Sequence, residues 1–421
     1  MKTWSLSWHG LRTVTALELR QRVRSRRWLI ALICWFVVIG AMTTLVITVV
    51  GGLRRFDMPD EMSKFGTGPL AFGLITLFVL GMGLVIAPTF TATSINGDRN
   101  QGTLATLQAT RLSAMEIALG KLAAAWLTAL AFLITVIPFI AWSMVLGNIS
   151  FWQVLVCFLV VFAEIAVICA VGLGWSALLS RPAGSAVMTY LTVVFLSIIT
   201  LVVEALSVSL VINPHGTQQV YGLSREDMDA YYEKLDEYYF DIDSEGYTVT
   251  NPAMEPPIDK CAWYTETDTY TYHTDKIWWM VVPNPFVIVA DAAPLPPNVS
   301  DTMNTYVAYS GDLLAAIRVA VAGSRQATPP QRDDCIWLYE TAGYQVITDI
   351  DTGEQRVETA TGQPVDYVSP VQPTRAQGMK GGDVWYWGLA SNILLGAFFF
   401  WIAVRRLKVP YRTLAKGTRV A

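Results

Sequence analysis

The chain has 421 residues, 53% of them hydrophobic and only 15% charged, with a mean hydropathy of +0.40. A water-soluble domain of this length carries charge throughout, so these values exclude one large soluble core. The formal net charge of -4 conceals a separation of basic from acidic segments along the chain.

Residues 1–27 are basic, with Arg20, Arg22, Arg24, Arg26 and Arg27 just before the first apolar run. That run, Trp28 to Val50, is longer than the apolar part of a signal peptide and leads into Gly51-Gly52-Leu53-Arg54-Arg55. It is expected to be an uncleaved span. Further apolar runs cover Leu70 to Ala92, Ala118 to Leu146, Phe151 to Leu179, Ala183 to Ile212 and Val384 to Val404. Each is long enough to cross ~30 Å of hydrocarbon. Each must be helical, because lipid offers the backbone no hydrogen-bond partner. Pro88 and Pro138 predict kinks in the second and third spans. The pairs Gly81/Gly83 and Gly172/Gly174 predict close helix packing.

Lys and Arg collect on the cytoplasmic side of a membrane. With the N-terminus inside, the inner segments are 1–27, the loop 93–117, the 180–182 turn and the basic tail 405–421. With Lys121 they hold about 17 basic residues against about 3 acidic ones, Glu18, Asp98 and Glu116. Residues 213–383 then lie outside, with about 26 acids against about 10 bases. The expected fold is an all-α polytopic membrane bundle of six transmembrane helices with an α+β extracytoplasmic domain. Spans one to five occupy 28–212 and span six 384–404. The expected location is the plasma membrane, with both termini cytoplasmic.

Within 213–383, Ser224 starts a predicted helix through Phe240, with Asp227 placed to reach back to the cap. Tyr264 to His273 alternates as a strand does. A helix is expected over Asp312 to Ala322. Ile336 to Asp349 and Glu354 to Thr361 read as a hairpin turning at Asp351-Thr352-Gly353. Pro364 to Gly382 reads as a tether. Cys34, Cys157 and Cys169 lie in spans. Cys261 and Cys335 are the two outside, where disulfides persist, and are expected to pair; two buried free thiols are the alternative. The run Asp241-Ile-Asp243-Ser-Glu245-Gly246 is similar to the start of a calcium loop. Its twelfth position is Pro252 rather than the closing Glu, so a plain acidic turn is the expected reading and no metal site is assigned.

In the inner loop, Ser113 and Glu116 form a capping-box signature at the foot of the third span. Before them, Gly102-Thr103 can start a short helix with Leu104 and Leu107 on one face, presented to a cytosolic partner or laid on lipid headgroups. The sequence Asp98-Arg99, then Gly102-Thr103-Leu104, then Ser113, Glu116 and Gly120-Lys121, resembles the loop between the second and third spans of ABC-2 type permeases. Ala16 to Arg27 is similar to that family's connecting helix, and Asn284 to Asp291 to a segment before its last span. The resemblance implies that Asp98, Arg99, Gly102, Thr103, Leu104 and Leu107 dock an ABC ATP-binding subunit. It also implies that a second permease chain, identical or related, completes the path. Ala105 and Arg111 depart from the family pattern, so no docking role is carried to them. Most of 213–383 stands as an insertion.

No Gly-x-x-x-x-Gly-Lys-Ser/Thr loop occurs, so ATP and magnesium are expected on the partner and no cofactor on this chain. Catalytic constellations and zinc-spaced His pairs are missing, and nothing points to nucleic acid. Glu164, near the middle of span four, and Glu204, in the outer part of span five, are candidate substrate-path residues; hydrogen bonding between helices is the alternative. The expected function is the permease subunit of an ATP-driven exporter of an amphiphilic or cationic small molecule, drug, lipid or peptide. The competing expectation is a membrane receptor whose outer domain binds a ligand.

Overall fold

The computed structural model describes residues 4–57, 67–104, 107, 112–147, 149–240, 257–294, 312–325, 328–341, 345–348, 355–359, 363–365, 367, 369–371 and 383–407. Six helices are long and apolar enough to cross a membrane: Trp28–Val49, Thr67–Gln101, Ala114–Val145, Phe151–Leu178, Pro182–Val211 and Trp385–Arg406. This is a helical membrane protein.

Helix α1 (Trp8–Val23) precedes α2 (Arg26–Asp57), which contains span one. Span two is α3 (Thr67–Thr91), which runs through Pro88, and α4 (Ser94–Gln101) follows after two residues. Span three is broken by Pro138 into α5 (Ala114–Ile134) and α6 (Ile137–Val145). The capping box at its foot forms as expected: Ser113 Oγ accepts from Glu116 N–H, and Glu116 accepts from Ser113 N–H. Span four is α7 (Phe151–Leu178). Span five is α8 (Pro182–Val194), a π-turn (Phe195–Ile199) and α9 (Thr200–Val211).

The main core lies between spans one to four and includes Trp35, Ile39, Ile75, Leu80, Phe132, Ile165 and Ile168. Glycines let these helices touch, as the sequence predicts. A Cβ on Gly83 would meet Ile165 at 2.9 Å, and one on Gly174 would meet the Phe399 carbonyl at 2.6 Å. Phe151, Trp152, Tyr386 and Trp387 are exposed at the starts of spans four and six. Aromatic rings concentrate at this headgroup level of membrane proteins.

Span five runs without a linker into β1 (Ile212–Gly222), followed by α10 (Arg225–Phe240) and β2 (Ala262–Tyr272). Ser224 caps α10: its Oγ accepts from Asp227 N–H and its hydroxyl donates to the Asp227 carboxylate. Next come α11 (Pro285–Ala292), α12 (Leu313–Ser324), β3 (Gln331–Asp333) and α13 (Cys335–Thr341). Then β4 (Gln345–Thr348), β5 (Gln355–Glu358) and β6 (Pro364–Val365) precede α14 (Trp385–Arg406), which is span six. One sheet has the order β2-β1-β3, with β1 antiparallel to β2 and parallel to β3; the other is β4-β5-β6. Cys261 and Cys335 are joined by a disulfide.

Three expectations need correction. Residues 213–383 are not one domain apart from the bundle. In α11, Ile288, Val289 and Ala292 are buried in the main core with Ile75 and Val79. In α12, Leu314 packs with Phe72 of span two and Cys157 of span four. The first part of the expected strand Ile336 to Asp349 is helix α13, and only Gln345–Thr348 pairs. The start of the expected tether is strand β6. The turn Asp351-Thr352-Gly353, the acidic run 241–245, and residues 372–382 and 408–421 lie outside the described residues.

Candidate functional site

At the basic end of the bundle, α1, α4 and the foot of span three meet. Gly120 lets α1 approach, since a Cβ there would meet Val14 Cβ at 2.6 Å. Ser7 N–H donates to Glu116 at 2.7 Å, a second use of the carboxylate that completes the capping box. Lys121 is 2% exposed, and its ammonium lies 2.5 Å from Glu18 Oε1 of α1 and 2.6 Å from Asp98 Oδ2 of α4. Two carboxylates on one buried ammonium tie three elements together. The first turn of α4 is fixed by neutral bonds: Ser176 Oγ of span four accepts from Ile95 N–H and Asn96 N–H. Asn96 Nδ2 donates to Ser185 Oγ of span five and to the Leu179 carbonyl. Gly102 ends the helix with φ 75°.

The sequence-predicted docking residues therefore divide. Arg99 is half-buried, and Gly102 and Thr103 are exposed in a row at the end of α4. Asp98 is turned inward onto Lys121. Leu104, expected to face a partner, is 1% exposed and packs with Ile95, Ile117, Leu173 and Val404; Leu107 packs against the same cluster. Leu104 is a core residue, because a leucine that reaches spans four and six gains more from burial against them than from water. Ser176 and Ser185 carry no signal in the sequence, and Glu18 and Lys121, read there only for their charge and as part of a motif, are brought together by the fold; a lone Lys in the first turns of an apolar helix is the available signal.

A second polar site lies in the middle of the bundle. Glu164 of span four is 0% exposed. Asn392 Nδ2 of span six donates to Glu164 Oε1 at 3.2 Å, to Oε2 at 3.1 Å and to the Pro283 carbonyl at 3.1 Å. Glu164 thus faces the bundle interior but sits in a closed node rather than on an open path. Glu204 is half-buried in α9, and among the described residues it makes no hydrogen bond to Glu164. Near this node Asp291 Oδ2 accepts from Val384 and Trp385 N–H at 2.6 and 2.8 Å, capping span six from α11. Arg318 of α12 pairs with Asp383 at 2.6 Å and donates to the Ala293 carbonyl.

Beyond the bundle, the Lys260 ammonium, 2.8 Å away, and the Ser224 hydroxyl hold the Asp227 carboxyl below its ordinary range. Among the described residues, no group of three or more His, Cys, Asp or Glu side chains is placed to hold a metal ion. The chain matches no known family model and no curated protein at a significant level.

Proposed function

We propose that the chain is the membrane subunit of an ATP-driven transporter, with α1 and α4 on the cytoplasmic side forming the surface on which a separate ATPase docks. The observation that carries this reading is the Glu18–Lys121–Asp98 cluster. It joins α1, α4 and span three into one body and leaves the Arg99 to Thr103 rim facing outward. A push on that rim is passed to span three by buried ion pairs and to spans four and five by Ser176, Ser185 and Asn96. The distribution of Lys and Arg supports the same orientation. A second copy or a related chain completes the path, and Glu204, half-buried in span five, favours a cationic or amphiphilic cargo that leaves past the sheets.

The test is co-expression with a candidate ABC ATPase subunit, purification in mild detergent, and an ATPase assay on wild type and Arg99→Glu. Co-purification that Arg99→Glu abolishes supports docking at the rim. Failure of any ATPase to bind the wild type, with or without nucleotide, removes the transporter reading. A receptor reading then gains, since the sheet joins span five without a linker at Val211–Ile212.

A further inference from the structure

Span five is built unlike the other five. Its middle is a π-turn, closed by Thr200 N–H donating to the Phe195 carbonyl. A π-turn shifts the hydrogen-bond ladder by one residue, so carbonyls in it need other donors, and in hydrocarbon water cannot supply them. Two side chains do so. The Thr200 hydroxyl donates to the Leu196 carbonyl at 2.8 Å. Asn284 Nδ2 donates to the Ser197 carbonyl and to Thr200 Oγ1, both at 2.9 Å.

Asn284 belongs to a different element. It is the N-cap of α11, where its Oδ1 accepts from Phe286 N–H at 2.9 Å and Val287 N–H at 3.4 Å. It is 0% exposed. One side chain therefore starts the helix inserted in the bundle and grips the π-turn of span five.

Beyond the π-turn the span is thinly held. In α9 only Thr200 and Ser207 are buried, while Leu201, Val202, Val203, Leu206 and Leu210 are exposed. The arm is nevertheless continuous with the sheet, because β1 starts at Ile212 and His273 N–H donates to the Val211 carbonyl at 3.1 Å. A hinge, a lightly packed arm, a direct attachment of the arm's end to a strand and a polar grip at the hinge lie in sequence along one span.

We infer that Asn284 is a latch on span five: while it holds the Ser197 carbonyl and Thr200 hydroxyl, the π-turn stays against the cap of α11, and its release lets α9 and the attached sheet pivot at the π-turn. This rests on the membrane-spanning fold and not on the transport reading. The two functions of Asn284 can be separated. Asn284→Ser keeps a side-chain oxygen for capping α11 but is too short to reach span five. Thr200→Val removes the hydroxyl without touching α11.

The experiment is a spin-label distance measurement on the full chain in lipid nanodiscs. Labels replace Leu210 at the end of α9 and Trp152 at the start of span four, with Cys34 changed to Ala. The latch predicts one narrow distance distribution in the otherwise unchanged chain, and a second, displaced population in both Asn284→Ser and Thr200→Val. A merely structural Asn284 would lower the melting temperature and leave the distribution narrow and unmoved, which overturns the proposal. If Asn284→Ser fails to fold, Thr200→Val alone decides, because it leaves the α11 cap intact. A broad distribution in the unchanged chain also overturns it, since nothing would then be latched.

Discussion

Asn392 lies 228 residues from Glu164 in sequence, yet its Nδ2 reaches both carboxylate oxygens and the Pro283 carbonyl. This one amide joins span six, span four and the segment leading into α11. The two partners are not equivalent. In Glu164→Gln the amide still finds a carbonyl at the same place, so the loss should stay under about 1 kcal/mol. Asn392→Leu strands a buried carboxyl group and a buried carbonyl, at about 3 kcal/mol in total. Thermal unfolding of the purified chain, followed by tryptophan fluorescence, should rank Asn392→Leu well below Glu164→Gln. Equal stabilities would show that the amide does not hold these helices together.

The Lys121 cluster makes a sharper demand. Lys121→Met removes the cation shared by Glu18 and Asp98 and leaves Glu18 only Arg22 at 4.0 Å; breaking a buried pair in this way costs about 3–5 kcal/mol. Asp98 is a quarter exposed and Glu18 less, so the lower end applies. Adding Glu18→Gln and Asp98→Asn to Lys121→Met should restore most of the loss, and the interaction is read from the mutant cycle. Hydrogen exchange of α1 gives a local readout, with α1 protected in wild type and the triple variant and freely exchanging in Lys121→Met. Full protection in the single variant would mean that α1 is held without the ion pairs, by contacts such as Val14 on Gly120 and Ser7 on Glu116.

Much of this architecture is legible from the chain because lipid enforces it. Six long apolar runs have no alternative to helices, and Ser113/Glu116 and Asp312 mark helix starts through local hydrogen bonds that need no tertiary help. The missed features are those decided between distant elements. Pro285–Ala292 is eight residues long, too short to span, and its apolar run reads equally well as the core of an outer domain. Residues 212–222 contain Asn, Pro and two Gly and have no strand pattern; pairing with β2 and β3 makes them a strand. Cys335 to Thr341 is a short apolar run of the kind that periodicity cannot divide between helix and strand. Leu104 and Leu107 read as one face turned to a partner or to headgroups, and nothing local says that spans four and six cover them.

Gly174 shows how tightly spans four and six are set. A Cβ at this position would lie 2.6 Å from the Phe399 carbonyl and 2.7 Å from its Cβ, and a backbone carbonyl in a helix cannot turn aside as a flexible side chain can. Gly174→Ala should therefore cost about 1–3 kcal/mol by overpacking. Gly97→Ala, where a Cβ meets nothing within 4 Å, is the matched control and should leave stability unchanged or slightly raised. The melting temperatures of the two variants in the same detergent decide the matter, and a Gly174→Ala protein as stable as Gly97→Ala would contradict the contact.

Tyr367 links the two sheets through a carboxylate. Its hydroxyl donates to Asp333 Oδ2 at 2.7 Å, the Ser369 hydroxyl donates to the same oxygen, and Asp333 Oδ1 caps α13 through Cys335 and Ile336 N–H. Burial first, and then the bond to Asp333, raise the Tyr367 pKa above its ordinary value of 10.0. A group whose folded pKa is raised contributes stability in full below its unfolded value, and loses it as pH rises towards the folded value. Tyr367→Phe should accordingly destabilise the chain by about 1.5 kcal/mol near neutral pH, since Ser369 keeps part of the bond. That difference should hold up to about pH 9 and shrink from about pH 10 upward, where unfolding lets the phenol ionise. Thermal unfolding of both proteins in nanodiscs from about pH 8 to about pH 11 supplies the comparison. A difference that grows with alkaline pH would reverse the sign and place the Tyr367 hydroxyl outside the carboxylate's reach.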